Sequence, residues 1–75
     1  MQPYHDAGGD SGVVAYEGGR DFIRVQFKSG AVYLYTNESA GDFTVARMKS
    51  LAAAGDGLSA FIARQVKDGF ERKER

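Results

Sequence analysis

Residues 22–36 of the chain read FIRVQFKSGAVYLYT, and this stretch decides the fold. Ile23, Val25 and Phe27 alternate with polar side chains, and a second apolar stretch follows Ser29-Gly30. Alternation with a period of two is typical of a half-buried strand, and glycine supplies the positive φ that a tight hairpin turn requires. The stretch therefore predicts a β-hairpin of two antiparallel strands.

The length of the hairpin turn decides which side chains share a face. A two-residue loop at Ser29-Gly30 places both tyrosines of the second strand beside the polar side chains of the first, because directly opposed residues face the same side. An aromatic and basic face of this kind is typical of a binding surface. The predicted binding face comprises Tyr33, Tyr35, Arg24, Gln26 and Lys28.

A three-residue loop formed by residues 29–31 is the alternative. It would pair Phe27 with Tyr33 and turn both tyrosines towards the core, because a one-residue slip exchanges the two faces of a strand. We prefer the two-residue loop, since Gly30 then provides the turn conformation and Leu34, rather than a tyrosine, joins the core.

The rest of the chain predicts one more strand and two helices. A first strand covers Val13 to Glu17, and a helix runs from about Ala40 to Ala54, where Gly55 is a suitable stop. Apolar residues recur at steps of three and four from Leu58 to Phe70, which predicts a second helix. The core side predicted for the first helix comprises Phe43, Ala46, Leu51 and Ala54, widened by Val45 and Met48. The order β-β-β-α-α predicts an α+β fold, with a three-stranded antiparallel sheet covered on one face by two helices.

We expect a single domain with a short segment on either side of it. The chain has 75 residues, which gives room for one small core, and residues 13–70 are expected to form it. Residues 1–12 are polar and glycine-rich without periodicity, so we expect a flexible lead-in. Residues 71–75 read ERKER and are expected to form a solvated, charged tail.

Composition narrows the classes of function. The sequence has no cysteine and one histidine, His5, so disulfides and thiolate metal sites are excluded and we expect no metal or other cofactor. A small core that is stabilised by neither a disulfide nor a metal favours a homo-oligomer. No apolar run approaches the roughly 18 residues of a membrane-spanning helix, and the first residues lack an apolar signal region. We therefore expect a cytoplasmic protein without membrane contact.

The formal charge argues against a domain that binds nucleic acid mainly through its phosphates. Lys and Arg total 10, Asp and Glu total 10, and the formal net charge is zero. Domains that bind nucleic acid mainly through phosphates usually carry a basic surplus. A neutral total is nevertheless compatible with a basic face on one side of the molecule.

Two short motifs resemble sites of chemistry but lack the context that such sites need. Gly9-Asp10-Ser11-Gly12 is similar to the nucleophile loop of trypsin-like proteases, but it lies in the lead-in, without the rigid scaffold on which a triad depends. Gly55 to Ala60 matches the G-x-G-x-x-A pattern of dinucleotide sites, but it follows a helix, whereas that motif must follow a strand. We therefore expect that the protein is not an enzyme.

Several positions between Val13 and Phe70 carry a resemblance to a known family. They are Val14-x-Tyr16, Val25-x-Phe27-x-x-Gly30, Val32-Tyr33-Leu34-Tyr35, Gly55, Leu58-Ser59 and Ile62. On these residues the chain resembles the KTSC domain family, named for the C-terminus of certain lysyl-tRNA synthetases and also found as small stand-alone proteins. It departs from the family where residues 36–39 lack a Val-Pro pair and where Leu58-Ser59 replaces an aromatic–asparagine pair. The family has no established activity, and its attachment to a tRNA-handling enzyme suggests RNA binding by association.

We expect a small non-catalytic binding module with single-stranded nucleic acid, RNA in particular, as its ligand. The tyrosines of the predicted binding face would stack on bases, while Arg24 and Lys28 would contact phosphates. The alternative is a protein-interaction or structural module, homo-oligomeric and without a nucleic-acid role, because tyrosine and arginine are also typical of protein interfaces. A third interpretation has both tyrosines packed under a helix or a neighbouring protomer.

Overall fold

The computed structural model describes residues 1–5, 12–66 and 68–75. The strands are β1 (Gln2–Pro3), β2 (Val13–Gly18), β3 (Phe22–Phe27), β4 (Val32–Thr36) and β5 (Arg72–Lys73). The helices are α1 (Asn37–Ala40), α2 (Asp42–Ala54) and α3 (Leu58–Phe61), which continues into a π-helical segment, Ile62–Val66. Residues 6–11, which hold most of the protease-like motif and half of the predicted lead-in, lie outside the described residues.

The strands form one antiparallel sheet in the order β1-β2-β3-β4-β5. Helices cover one face of this sheet, where α2 contacts β3 and β4. The predicted α+β class is confirmed, but the sheet has five strands where three were predicted. The two additional strands, β1 and β5, come from the segments on either side of the predicted domain.

The first residues form an edge of the sheet, whereas a flexible lead-in was expected. β1 pairs with β2, and the Tyr4 N–H donates to the Val14 carbonyl at 3.0 Å. The ring of Tyr4 is 6% exposed and meets the ring of Tyr16 edge-on. Its hydroxyl accepts the N–H of Leu58 at 3.2 Å, which ties the start of α3 to this edge. Burial of a large aromatic ring favours this arrangement over a mobile segment.

The last residues also differ from the solvated tail that their charge predicts. β5 pairs with β4, and the N–H groups of Glu71 and Glu74 donate to the carbonyls of Leu34 and Val32 at 2.6 and 2.7 Å. Unpaired backbone groups at a sheet edge favour any strand that can reach them. The outer edge of β4 is therefore satisfied by the chain's own backbone.

A capping box begins the helical part of the chain. Thr36 Oγ1 accepts the N–H of Ser39 at 3.1 Å, and Ser39 Oγ accepts the N–H of Thr36 at 3.0 Å. Gly41, with φ 93°, separates α1 from α2. Gly55, with φ 73°, ends α2 in the left-handed conformation, as its position in the sequence predicts.

The core side of α2 agrees with the predicted one only in part. Val45, Met48 and Ala52 are buried. Val45 and Met48 were predicted to widen the core side, and their burial confirms this part. Of the four residues predicted at its centre, Phe43 is 79% exposed, the two alanines are exposed and Leu51 is half-buried. Because apolar residues occur on both sides of this helix, periodicity does not decide between them, and contact with β3 and β4 does.

The second predicted helix is shorter than its pattern indicates. Leu58, Ile62 and Val66 are buried at steps of four residues. The Gly69 N–H donates to the Val66 carbonyl at 2.9 Å as the chain turns back towards β5, so Phe70 lies beyond the helix. The buried core cluster comprises Tyr4, Val13, Ile23, Val25, Tyr35, Val45, Met48, Ala52, Leu58, Ile62 and Val66.

Candidate functional site

The turn between β3 and β4 has three residues, Lys28 to Gly30. The Gly30 N–H donates to the Phe27 carbonyl at 2.9 Å, and the Phe27 N–H donates to the Ala31 carbonyl at 2.9 Å. Gly30 has φ 92°, and a turn followed by a residue of positive φ is a common three-residue hairpin loop. Neither of the two predicted loops is therefore correct.

This register places both tyrosines on the face of the sheet that the helices cover. Val25 lies opposite Tyr33, and Arg24 lies opposite Leu34. Tyr33 and Tyr35 thus share the side of Val25, while Arg24 and Leu34 share the open side. The five residues of the predicted binding face do not come together, and that prediction is wrong. The tyrosines take the orientation expected from the alternative loop, although the pairing differs from it by two residues.

The two tyrosines belong to an aromatic cluster beside the core. Tyr35 is 2% exposed, and its ring centroid lies 6.3 Å from that of Phe70. Tyr33 is half-buried, with its ring centroid 5.6 Å from Phe27 and 4.8 Å from Phe70. Burial, with a contribution from Tyr33, raises the pKa of Tyr35 to about 12. Tyr35 is therefore a packing residue, and Tyr33 offers only part of its ring to a ligand.

The open face of the sheet carries an ion-pair network around Glu74. Arg24 Nε donates to Glu74 Oε1 at 2.8 Å, and Arg24 Nη1 lies 3.5 Å from Glu17 Oε1. Arg72 Nη2 lies 3.2 Å from Glu74 Oε2. The hydrogen bond from Arg24 is the main cause that lowers the pKa of Glu74, and the same bond raises the pKa of Arg24. Arg24, which was predicted to contact phosphate, already has carboxylate partners.

Strand β4 lies beneath this network. Leu34 is 5% exposed and Val32 is also buried, although both lie on the open face. Because Arg24 on β3 and Glu74 after β5 flank β4, their bridge crosses over these two side chains, and the stems of long charged residues cover apolar surface well. Gln26 lies next to them and lines a shallow depression of about 520 Å³.

Three cations surround the tip of the hairpin. They are Lys28, Lys73 and Arg75, here called the basic tip. All three are exposed, and among the described residues none of them forms a salt bridge. Lys73 and Arg75 line a depression of about 410 Å³ against the turn, and Lys73 Nζ lies 6.0 Å from the centroid of the Tyr33 ring. Of the predicted binding face, only Lys28 belongs to this group.

The outer face of α2 exposes an apolar surface that sequence reasoning missed. Its exposed residues are Asp42, Phe43, Ala46, Arg47, Ser50, Ala53 and Ala54. Phe43 was assigned to the core because it falls at helical spacing from other apolar residues. The second apolar stripe of the same helix could have indicated this exposed surface, because a helix that is apolar on two sides has two surfaces to bury.

Comparisons with protein-family models, with curated proteins and with solved structures found no match. Within residues 1–5, 12–66 and 68–75, no three carboxylate or imidazole side chains are grouped so that they could hold a metal ion. None of the helices in that part of the chain has the length and apolar character to cross a membrane. A function is therefore inferred from three features of the structure, which are the aromatic cluster, the basic tip and the outer face of α2.

Ionisation of Tyr35 tests its burial. Because its pKa is raised from 10.0 to about 12, the folded state holds the phenol proton more tightly than the unfolded state. We expect the stabilising contribution to be complete below pH 10 and to be lost as the pH rises towards 12. Chemical unfolding at a series of pH values measures this, with Tyr35→Phe lacking that part of the decline and Tyr16→Phe as control. Equal pH dependence in wild type and Tyr35→Phe would contradict the buried position.

Proposed function

We propose that this chain is a small non-catalytic binding module that associates with protein. The partner proposed first is a second copy of the same chain. The observation that supports the proposal most is the outer face of α2, where Phe43 is 79% exposed. Full burial of a phenylalanine side chain is worth about 1.5–3 kcal/mol, so an exposed one on a rigid helix favours association. Self-association also suits a chain of this size, which buries only about 60% of its unfolded surface when alone.

The helix around Phe43 supports this further. α2 buries Val45 and Met48 towards the sheet, and Ala46, Ala53 and Ala54 lie exposed on the other side. A helix that is apolar on both sides is typically covered on both. Small side chains such as alanine let the backbone of another helix approach closely. An interaction module is therefore preferred to a module that reads bases.

We also propose that the chain is a member of the KTSC family and acts in the cytoplasm without a cofactor. Some of the residues that carry the resemblance have a packing role in this fold. Tyr33 and Tyr35 lie in the aromatic cluster, and Gly30 and Gly55 have positive φ. These positions support an interpretation of the segment Tyr33-Leu34-Tyr35 as a structural element of this chain.

Sedimentation velocity over a wide range of protein concentration tests the self-association. We expect a dimer whose fraction rises with concentration, and a melting temperature that rises in parallel, because association stabilises the folded state by mass action. A single monomeric species at every concentration, with a constant melting temperature, would refute the proposal.

Single-stranded RNA is the second candidate ligand, and the basic tip is the observation that favours it. Lys73 and Arg75 line one depression beside the hairpin turn, and Lys28 is exposed in that turn. These cations take the place of Arg24 as phosphate contacts, because Glu74 already pairs with Arg24. Backbone phosphates would bind these cations, with the exposed part of the Tyr33 ring beside them. This mode gives little base specificity.

A salt titration of RNA binding tests this second candidate. Lys28→Gln and Lys73→Gln should each flatten the dependence of log K on log salt by about 0.7, the single-strand value for one lost phosphate contact. Arg20→Gln, at the opposite end of β3, is the matched control and should leave the slope unchanged. Absence of binding to single-stranded RNA and DNA at low salt would rule out this role.

A further inference from the structure

Residues 70–75, here called the arm, lie against β4 in the way that a bound peptide adds a strand to a sheet. Glu71 and Glu74 donate their N–H groups to β4, and the Val32 N–H donates back to the Arg75 carbonyl at 3.1 Å. Residues 71–75 are all exposed, and none of them is apolar. Peptides that extend a sheet bind with affinity from such backbone bonds and specificity from a few side chains.

One aromatic side chain anchors the arm. The ring centroid of Phe70 lies 4.8 Å from that of Tyr33 and 6.3 Å from that of Tyr35. Both tyrosines belong to β4. The anchor therefore packs on the same strand whose edge is occupied by the backbone of the arm.

Two carboxylates add polar contacts between the arm and the hairpin. Glu74 Oε1 accepts from Arg24 Nε at 2.8 Å, and Glu71 Oε1 accepts from Thr36 Oγ1 at 2.9 Å. Arg24 belongs to β3 and Thr36 to β4, so both partners lie on the central hairpin. The hairpin thus recognises an aromatic ring and two acids in a strand of six residues.

A short turn connects the arm to the π-helical segment. The Gly69 N–H donates to the Val66 carbonyl at 2.9 Å. The space beside Gly69 is tight, because a Cβ atom built on it would lie 3.1 Å from the Val66 carbonyl oxygen. Short, tight hinge turns favour the exchange of a segment between copies, since the turn then opens into an extended link.

We infer that the arm exchanges between two copies of the chain, so that each arm adds to β4 of the other copy. The contacts of the arm with the hairpin reappear in such a dimer, each between the two copies and each occurring twice. The closed and exchanged forms then differ mainly in the turn at Gly69, which makes exchange a low-cost route to a dimer. This inference rests on the proposed self-association and concerns a surface other than the outer face of α2.

The edge of β4 favours this occupant. Without an arm, the edge would expose unpaired backbone groups and uncover Val32 and Leu34, which are 6% and 5% exposed beneath the bridge. An arm from a second copy carries its ring and its two acids at the spacing that the hairpin fits. Reach permits the exchange, since the chain from Val66 to Phe70 spans about 13 Å when extended.

Charge reversal on the intact chain tests the exchange. Arg24→Glu and Glu74→Arg each set like charges together, both in the closed chain and in an exchanged dimer of one variant. In an equimolar mixture an exchanged dimer restores both pairs, so its dissociation constant should be about tenfold lower than that of either variant alone. Sedimentation velocity measures this. A mixture of Arg64→Glu with Asp56→Arg carries the same net charges away from the arm and is the matched control, which should show no such gain.

Isotope-filtered NMR of the wild-type chain tests the same point without any substitution. Half of the chains are labelled with ¹³C and mixed with unlabelled chains at a concentration where the dimer is populated. A contact between a labelled Phe70 ring and an unlabelled Tyr33 ring is expected, because these two rings then belong to different copies.

The outcomes separate the exchange from the proposed function. The filtered contact, together with a gain in the reversal mixture that the control mixture lacks, supports the exchange. A wild-type dimer without the filtered contact, or an equal gain in both mixtures, would overturn it and leave self-association through another surface. A wild-type chain that stays monomeric at every concentration would refute the self-association and the exchange together.

Discussion

The pairing of β3 with β4 is the constraint on which the rest of the structure depends. It is fixed at the turn, where the Gly30 N–H meets the Phe27 carbonyl and the Phe27 N–H meets the Ala31 carbonyl. Side chains alternate along a strand, so a change of one residue in this register would exchange every buried residue of a strand for an exposed one. With the register observed, Val25 and Tyr35 face the helices.

The same pairing places the tyrosines and Arg24 on opposite faces of the sheet, whereas the predicted binding face needs them on one face. Aromatic rings lie on the covered side, where Tyr35 packs beside Phe70, and the guanidinium of Arg24 lies on the open side against Glu74. Charged side chains that pair with one another therefore cover part of the open face. The surfaces left for partners are elsewhere, at the basic tip and on the outer face of α2.

Local sequence predicted the three central strands and the approximate positions of the longer helical segments, because their signals are local. The alternation before Ser29, the position of Gly55 and the helical spacing after Leu58 each report a short-range preference. The turn length was not predictable in the same way. Gly30 has positive φ in the observed loop and suits such a conformation in either predicted one, so the glycine does not distinguish between them.

The strands from the two chain ends and the orientation of α2 were not predictable, since both depend on distant contacts. Tyr4 is one aromatic residue in a polar stretch, and its hydroxyl accepts a hydrogen bond from the N–H of Leu58, 54 positions away. Glu71 and Glu74 read as solvated residues, and their backbone pairs with β4 only because that edge is open. Phe43 could face in or out by spacing alone. For that reason spacing alone did not predict that Phe43 lies on the outer face of α2.

Proton NMR of the hairpin in solution tests the register most directly. The observed pairing makes Arg24 and Leu34 a non-hydrogen-bonded pair, in which the two Cα atoms approach to about 4.5 Å. A strong Hα–Hα contact between Arg24 and Leu34 is therefore expected, with a second between Gln26 and Val32. Strong Hα–Hα contacts between Val25 and Leu34 would instead indicate the two-residue loop. That result would return both tyrosines to the face of Arg24 and contradict the pairing of β3 with β4 on which the fold depends.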